Sequence, residues 1–431
     1  MALKVGLLGL GTVGTGVAQI LSDAVGRSPL LEQLTIHRVG VRNLDKPRSV
    51  QIPSDRFTTD LNAIVTDPDI DVVVEVIGGI EPARTYILEA IARGKHVVTA
   101  NKAVIARHGA EIFDAAKEAG VNVLLEAAVG GGIPIIHPLK HSLGGDRINT
   151  ITGIVNGTTN YILTRMAQEG ADFADVLADA QRLGYAEADP TADVDGFDAA
   201  DKLAILASLA FGGRVNLDDI HCEGIRSISA TDIRYANRLG FVIKLLAIAQ
   251  RLGDDNQLSL RVHPTLLPSD HPLAQVDGVF NAIFVEGEPI GQVMFFGPGA
   301  GEGPTASAVV SDLLNIAAFA VSGNTGDTLD PMMSNSHKEY GAIAPIETLA
   351  TRFFVRFSTF DKPGTIGKIG TLFGKNGVSL ESVVQTEVTD EKAQVVVVTH
   401  QVKEGDFRAA LGAIEQYDNL ATVANVLRVV S

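Results

Sequence analysis

The sequence predicts an α/β chain in three parts: a doubly wound parallel-sheet domain, an α+β domain and a small C-terminal βαββαβ module. Three observations predict it. Short apolar runs alternate with helical patterns from residue 1 to about 140, which is the signature of repeated βαβ units. Over 141–322 helices and strands follow in uneven order, and over 351–431 strands flank two helices. Between these, 323–350 is rich in Gly, Asn, Ser, Asp and Pro and reads as a linker.

Taken in order, Val5-Gly6-Leu7-Leu8 is the first strand and Thr12 to Ala24 the helix behind it. His37 to Val41 is the second strand, and Asp71 to Ile77 the third, with a helix starting near Pro82. His96-Val97-Val98 and Val121 to Leu125 continue the series. Each follows a helix ending at glycine (Gly94, Gly120), where a left-handed cap returns the chain to the sheet. The second domain opens with a strand from Asn149 to Val155 that runs into a polar turn and a helix. Helices over Phe173 to Leu183 and Ala199 to Ala210 follow, then strands over Gln257 to Val262 and Ala282 to Glu286. The apolar segment Thr305 to Phe319 predicts a helix packing back on the first domain. The module contributes a strand at Phe353 to Phe357, a helix reaching Phe373 and a strand entered through Asn376-Gly377-Val378-Ser379-Leu380. A strand at Ala393 to His400, a helix from Asp406 to Tyr417 and a strand at Val423 to Val430 complete it.

Composition narrows the function. Acidic residues outnumber basic ones, 51 to 35, for a formal charge of −16, which argues against non-specific nucleic-acid binding. Hydrophobic residues make up 46% of the 431, ordinary for a globular chain of several domains. Cys222 is the sole cysteine, so no intrachain disulfide forms and no thiolate metal site can be built; a cytoplasmic setting is the expectation. The first residues enter a buried-strand pattern at once rather than a signal-peptide core. No uninterrupted apolar run approaches the roughly 20 residues of a membrane span.

The motifs carry the chemistry. Gly9-Leu10-Gly11-Thr12-Val13-Gly14 fits G-x-G-x-x-G between a strand and a helix, in βαβ context, which predicts a Rossmann-type dinucleotide-binding domain. Its glycines allow a tight turn and let backbone amides approach a pyrophosphate at the helix N-terminus. The second strand ends Val41-Arg42-Asn43 with Lys46 and Arg48 behind, where an NAD site would carry an acidic residue. A guanidinium there suits a 2′-phosphate, so NADP is preferred and NAD stays usable. The competing reading is a solvated basic loop, since Asp45 sits among these residues. Thr99-Ala100-Asn101-Lys102 lies at the C-terminal end of a parallel strand, where open α/β sheets place ligand-binding groups. Gly153 to Leu163 contains Asn156-Gly157-Thr158-Thr159-Asn160, a turn dense in hydrogen-bonding groups. Gly184-Tyr185-Ala186-Glu187-Ala188-Asp189-Pro190 is followed by Asp193 and Asp195 and then by Asp198 and Lys202, which share a helix face four residues apart. Spacing alone fits a solvated surface pair equally well.

In this order, over essentially the whole chain, these motifs resemble homoserine dehydrogenases of the monofunctional kind. The resemblance implies a nicotinamide-dependent interconversion of aspartate 4-semialdehyde and homoserine. By motif it carries Lys202 over as the catalytic lysine and Lys102 as a second active-site lysine near the nicotinamide. Glu187, Asp198, Asn156 and Thr158 are carried over to the substrate, and Gly9, Gly11, Thr12, Val13, Gly14, Arg42, Lys102, Gly184 and Gly301 to the cofactor. Glu126-Ala127-Ala128-Val129-Gly130-Gly131-Gly132-Ile133-Pro134 resembles the family's monovalent-cation loop, implying Na+ held by main-chain oxygens of Glu126, Val129, Gly131 and Ile133. Asp361-Lys362-Pro363-Gly364-Thr365-Ile366 and Asn376-Gly377-Val378 resemble ACT-domain signatures, with Ile366 in place of the usual Leu. That implies threonine as effector, with Asn376 and Gly377 near it, and a homodimer or higher assembly. The alternatives are a dehydrogenase of another amino-acid semialdehyde and a non-enzymatic amino-acid sensor.

Overall fold

The computed structural model describes residues 2–253, 257–322, 339–389, 392–417 and 420–430. Most of the expected linker, 323–338, lies outside the described residues. The described residues form two compact units: 1–151 with 201–219 and 281–341, and 152–200 with 220–280 and 342–431.

The first unit begins with β1 (Leu3–Leu8), α1 (Thr12–Ser22), β2 (Leu34–Gly40), β3 (Phe57–Thr58), α2 (Asn62–Val65) and β4 (Val72–Glu75). It continues with α3 (Ala83–Ala92), β5 (His96–Thr99), α4 (Lys102–Ala119) and β6 (Val123–Leu124). The six strands form one sheet in the order β3-β2-β1-β4-β5-β6, all pairs parallel. The order reverses between β1 and β4, which opens a crevice at their C-terminal ends, the usual ligand position of doubly wound folds. The central strands read as unbroken apolar runs because helices cover both faces, and Val72, Val73 and Val74 are fully buried. The third strand is shorter than expected and stops at Glu75, whose carboxylate captures the amides of Ile77 (2.9 Å) and Gly78 (3.2 Å). Those two donors are thereby lost to any further ladder.

Next come β7 (Arg147–Ile154), α5 (Gly157–Glu169), α6 (Phe173–Arg182), α7 (Thr191–Val194) and α8 (Phe197–Phe211). Then follow β8 (His221–Cys222), α9 (Ala230–Arg238), β9 (Phe241–Leu252), β10 (Gln257–Pro268), β11 (Phe280–Glu288), β12 (Gly291–Pro298) and α10 (Glu302–Val321). The chain passes between the units within β7, α8 and β11. By length and composition α10 could cross a membrane, yet it is a core helix of the first unit. Ala306, Val309, Leu313, Ile316 and Ala317 are fully buried in one cluster with Val5, Leu7, Val17 and Val39. Gly16 on α1 would place a Cβ only 2.8 Å from the Ala306 Cβ, so a glycine lets these two helices approach closely.

The module comprises β13 (Ala350–Phe360), α11 (Thr365–Lys375), β14 (Leu380–Thr389), β15 (Lys392–Thr399), β16 (Val402–Lys403), α12 (Glu404–Glu415) and β17 (Ala421–Val429). It has its own core of Phe353, Phe357, Phe373 and Phe407, with the Phe353 and Phe407 rings stacked at 3.9 Å. In the second unit the strands run in the order β9-β10-β17-β13-β15-β14. The module's last strand thus pairs in parallel with β10, Thr265 opposite Arg428 and Leu266 opposite Val429.

Candidate functional site

In the first unit the turn after β1 is shaped by its glycines. Gly9 has φ 105°, and a Cβ on Gly14 would stand 2.2 Å from the Gly9 carbonyl oxygen, so no larger residue fits. Gly11 caps α1 with no side-chain hydrogen bond, and a Cβ there would meet open space. The first amides of α1, from Thr12 and Val13 onward, are therefore available to an anion. Arg48 does not face outward: it donates to the carbonyls of Asn43, Leu44 and Lys46 and lies 4.6 Å from the Phe57 ring centre, bracing the loop after β2. Arg42 is exposed, with no hydrogen-bond or ion-pair partner among the described residues. Gly301, with φ 130°, caps α10 in the same unit.

Lys102 is the first residue of α4, whose cap Asn101 accepts from the Val104 amide at 3.3 Å. Further along α4, Arg107 donates to Asp201 at 2.9 Å, joining this helix to the residue just before Lys202 on α8. Lys202 is 9% exposed. Helix α4, which begins at Lys102, and the part of α8 that carries Lys202 are thus tied together through Arg107 and Asp201.

In the second unit Asn156 is the centre of the arrangement. Its amide nitrogen donates to Asp193 at 2.7 Å and to Asp198 at 2.8 Å. Its oxygen caps α5, accepting from the Thr159 amide (2.9 Å) and hydroxyl (3.0 Å). One buried side chain thereby holds two carboxylates together and orients the helix start. Thr158 donates to the carbonyl of Tyr185 at 2.7 Å, and Gln181 donates to the carbonyls of Glu187 (3.0 Å) and Ala188 (3.2 Å). These bonds fix the loop that carries Gly184, with φ 79°, and the exposed Glu187. Asn156 and Thr158, expected at the substrate, therefore have partners within the protein. Asp193, quoted in the acidic motif run but given no role there, joins the group. Motif reading favours a carboxylate with a lysine one turn away; the signal for Asp193 is only its place between Asp189 and Asp198.

The segment expected to hold a cation is closed by a buried clamp. The Glu126 carboxylate accepts from the amides of Ile135 (2.6 Å), Ile136 (2.8 Å) and His137 (2.8 Å). Asp312 of α10 accepts from the Glu126 amide at 2.8 Å and lies 3.0 Å from Nε2 of His137. Burial raises the Glu126 carboxyl above its ordinary value, with the neighbouring Asp312 charge adding to it; the bond to Asp312 raises His137. The side chains of Glu126, His137 and Asp312 could themselves ligate a metal, but both Glu126 oxygens are already held by loop amides. The main-chain oxygens of Glu126, Val129, Gly131 and Ile133 differ: among the described residues no hydrogen bond reaches them, although all four residues are buried. Buried carbonyls without donors suit a cation, so the loop fits the ion expected there.

In the module a cavity of about 120 Å³ lies where β13 passes into α11, lined by Phe360, Asp361, Lys362, Thr365, Ile366 and Gln385 among others. Gln385 donates to Asp361 at 3.0 Å across it. Asn376 and Gly377 sit at the far end of α11, where Asn376 donates to the Leu372 carbonyl at 2.8 Å, and they do not line this cavity.

Comparison with known proteins agrees with this architecture. A family model described as homoserine dehydrogenase matches residues 134–314, and one for the NAD-binding domain of homoserine dehydrogenase matches residues 9–126. An ACT-domain model matches residues 353–419. A homoserine dehydrogenase of Synechocystis sp. is 63% identical over 433 residues, covering 100% of each chain. One of Bacillus subtilis is 44% identical over 435 residues, covering 99% of this chain and 98% of its own. Among solved structures, a homoserine dehydrogenase from Thiobacillus denitrificans superposes with a TM-score of 0.92 at 41% identity, covering 100% of this chain and 99% of that one. A hyperthermophilic archaeal homoserine dehydrogenase in complex with NADPH gives a TM-score of 0.60 at 27% identity, covering 76% and 99%.

Proposed function

Since the chain belongs to the homoserine dehydrogenase family and is an NAD(P)-dependent oxidoreductase acting on a CH–OH group, we propose that it interconverts aspartate 4-semialdehyde and L-homoserine with NADP preferred. The observation that carries the site assignment is the Asn156 amide, which draws Asp193 and Asp198 onto one nitrogen at 2.7 and 2.8 Å. Lys202 follows one turn along α8.

The cofactor, when bound, supplies or accepts the hydride at its nicotinamide. The remaining work falls to the protein. In the direction of reduction the Lys202 ammonium stabilises the charge developing on the carbonyl oxygen and delivers a proton there from Nζ, directly or through water. Asp198 and Glu187 bind the substrate's α-ammonium group, with Asn156 fixing the Asp198 carboxylate. Lys102 serves cofactor and substrate from the end of β5. The first amides of α1 take the pyrophosphate and Arg42 the 2′-phosphate. Gly184 and Gly301 leave the cofactor room at two further backbone positions, and Thr158 holds the loop in front of Glu187.

Three finer features belong to the same proposal. Na+ occupies the carbonyl set of Glu126, Val129, Gly131 and Ile133. Threonine is the effector at the module and acts by feedback in threonine, methionine and isoleucine biosynthesis; the cavity at Asp361 and Lys362 offers one charge of each sign to a zwitterion. The enzyme is a cytoplasmic homo-oligomer, in which a second copy covers the exposed Met294 and Phe296 of β12.

The test is oxidation of homoserine by NADP, followed by nicotinamide absorbance, for wild type beside Lys202→Ala. The expected result is turnover by wild type and a loss of about 100-fold or more in kcat for the variant, with cofactor binding retained. A wild type inactive with homoserine under both cofactors would overturn the assignment.

A further inference from the structure

A glutamate at the end of a fully apolar strand is out of place by composition. Glu75 follows Val72, Val73 and Val74 and is 0% exposed. Burying a carboxylate is costly unless it is well supplied with donors. Glu75 has three: the amides of Ile77 (2.9 Å) and Gly78 (3.2 Å) and the hydroxyl of Thr99 (2.7 Å). The first two shape the loop after β4, which bends through Gly78 and Gly79 with φ of 71° and 75°. The third reaches across to the neighbouring strand β5.

The network continues from Thr99. Its Oγ1 accepts from the Asn101 amide at 3.0 Å, and the Asn101 side chain donates to the Gly79 carbonyl at 2.7 Å while capping α4 through the Val104 amide. A closed ring therefore runs from Glu75 to Thr99, to Asn101, to Gly79 and back along the loop. Lys102 is the next residue out. On the other side the loop supports the glycine-rich turn: a Cβ on Gly9 would stand 3.1 Å from the Val76 carbonyl oxygen and from Cγ2 of Ile77. The crevice opened by the β1/β4 reversal thus has one wall set by the turn after β1 and another by the loop after β4.

We propose that Glu75 is a positioning residue for the reaction, bracketing the loop after β4 and the Thr99–Lys102 strand end so that Lys102 is presented to the cofactor crevice in one fixed geometry. The inference rests on Lys102 acting at that crevice. Glu75 touches neither cofactor nor substrate; it acts through the Ile77–Gly79 backbone and through Thr99. Its two branches separate functionally. The amide branch supports the cofactor wall, and the hydroxyl branch supports the lysine.

The experiment follows from that separation. Glu75→Gln, Thr99→Val, Thr99→Ser and Lys102→Ala are purified as full-length chains. NADPH affinity is measured by nicotinamide fluorescence, kcat and KM with homoserine and NADP, and melting temperature in parallel. Thr99→Val cuts only the lysine branch, so kcat falls by about tenfold or more while NADPH affinity falls no further than in Lys102→Ala. Thr99→Ser restores the hydroxyl and brings kcat back to within about twofold of wild type. Glu75→Gln weakens both branches, lowering kcat and NADPH affinity together. Wild-type kcat in Thr99→Val, or loss that Thr99→Ser does not rescue, overturns the proposal. So does a folded Glu75→Gln with unchanged kcat and affinity; should that variant not fold, the Thr99 pair decides alone. Lys102→Ala with full activity overturns instead the role given to Lys102, a result distinct from failure of the bracket.

Discussion

Asn156 shows how one side chain can hold a charged pair and a helix start at once. Replacing it with alanine removes the α5 cap and leaves two neighbouring carboxylates without their shared donor. The expected cost is about 1–3 kcal/mol in stability, with a rise of about tenfold or more in homoserine KM, since Asp198 is no longer fixed. Denaturation midpoints and steady-state kinetics on Asn156→Ala measure both. This role was not legible beforehand, because the partners of Asn156 lie 37 and 42 residues along the chain. The sequence marks residue types and local spacing, so Asp198, Glu187 and Lys202 could be named from their motifs, whereas Asp193 could not be told from its acidic neighbours. Glu75 was hidden for a different reason: within Val-Val-Val-Glu-Val it reads as a strand residue, and its donors come from the next loop and the next strand. Arg48 runs the other way, named as basic and near the cofactor but used by the loop for its own carbonyls.

Among the elements, the βαβ repeat was legible because buried parallel strands and glycine-capped helices each leave a local pattern, as at Gly120 with φ 68°. Strands β9 and β12 and helix α9 have no counterpart among the sequence expectations. Phe241–Leu252 is apolar nearly throughout, and such a run has no alternation to separate strand from helix. In Gly291–Pro298 the exposed positions include Met294 and Phe296, so the alternation of apolar and polar residues that marks a half-buried strand is absent. Helix α10 was anticipated as packing on the first domain, but its polar task was not. Asp312, 0% exposed, ties the helix to the Glu126 loop and to His137. Asp312→Ala strands a buried amide and a histidine, and should destabilise the chain by about 2–4 kcal/mol. If the loop holds Na+, the variant also loses any rise in melting temperature on exchanging choline chloride for NaCl. An unchanged denaturation midpoint would show the clamp to be dispensable.

Across the molecule's second unit, the module and the α+β domain share hydrogen bonds and buried charge. Arg428 of β17 donates to Glu223 at 2.9 and 3.0 Å and to Glu404 at 2.8 Å, while Arg356 of β13 donates to Asp232 at the capped start of α9. From Glu223 the chain leads to Arg226, which grips Asp195 at 2.6 Å, two residues beyond Asp193. Burial alone would raise the Glu223 carboxyl, but hydrogen bonds from His221 and Arg428 outweigh it and hold the group well below its ordinary 4.5. A carboxyl depressed in the folded state adds stability above its unfolded value and loses it as the pH falls through and below that value. The junction should therefore weaken below pH 4.5, and Glu223→Gln should show a smaller drop in melting temperature between about pH 6 and about pH 4 than wild type. Equal drops in the two proteins would remove Glu223 from the acid response.

The parallel pairing of β10 with β17 also has a consequence for biosynthesis. A ribosome makes β10 well before it makes β17, and until then the flank of β10 that meets β17 is covered only by β8 at Arg261 and Val262, leaving Thr265 and Leu266 without their partner strand. At about 5–20 residues per second the wait is on the order of ten seconds, long for an unpaired strand edge in a crowded cell. The nascent chain thus carries the Thr265–Leu266 edge unpaired for a defined interval of its synthesis, which closes only as β17 emerges.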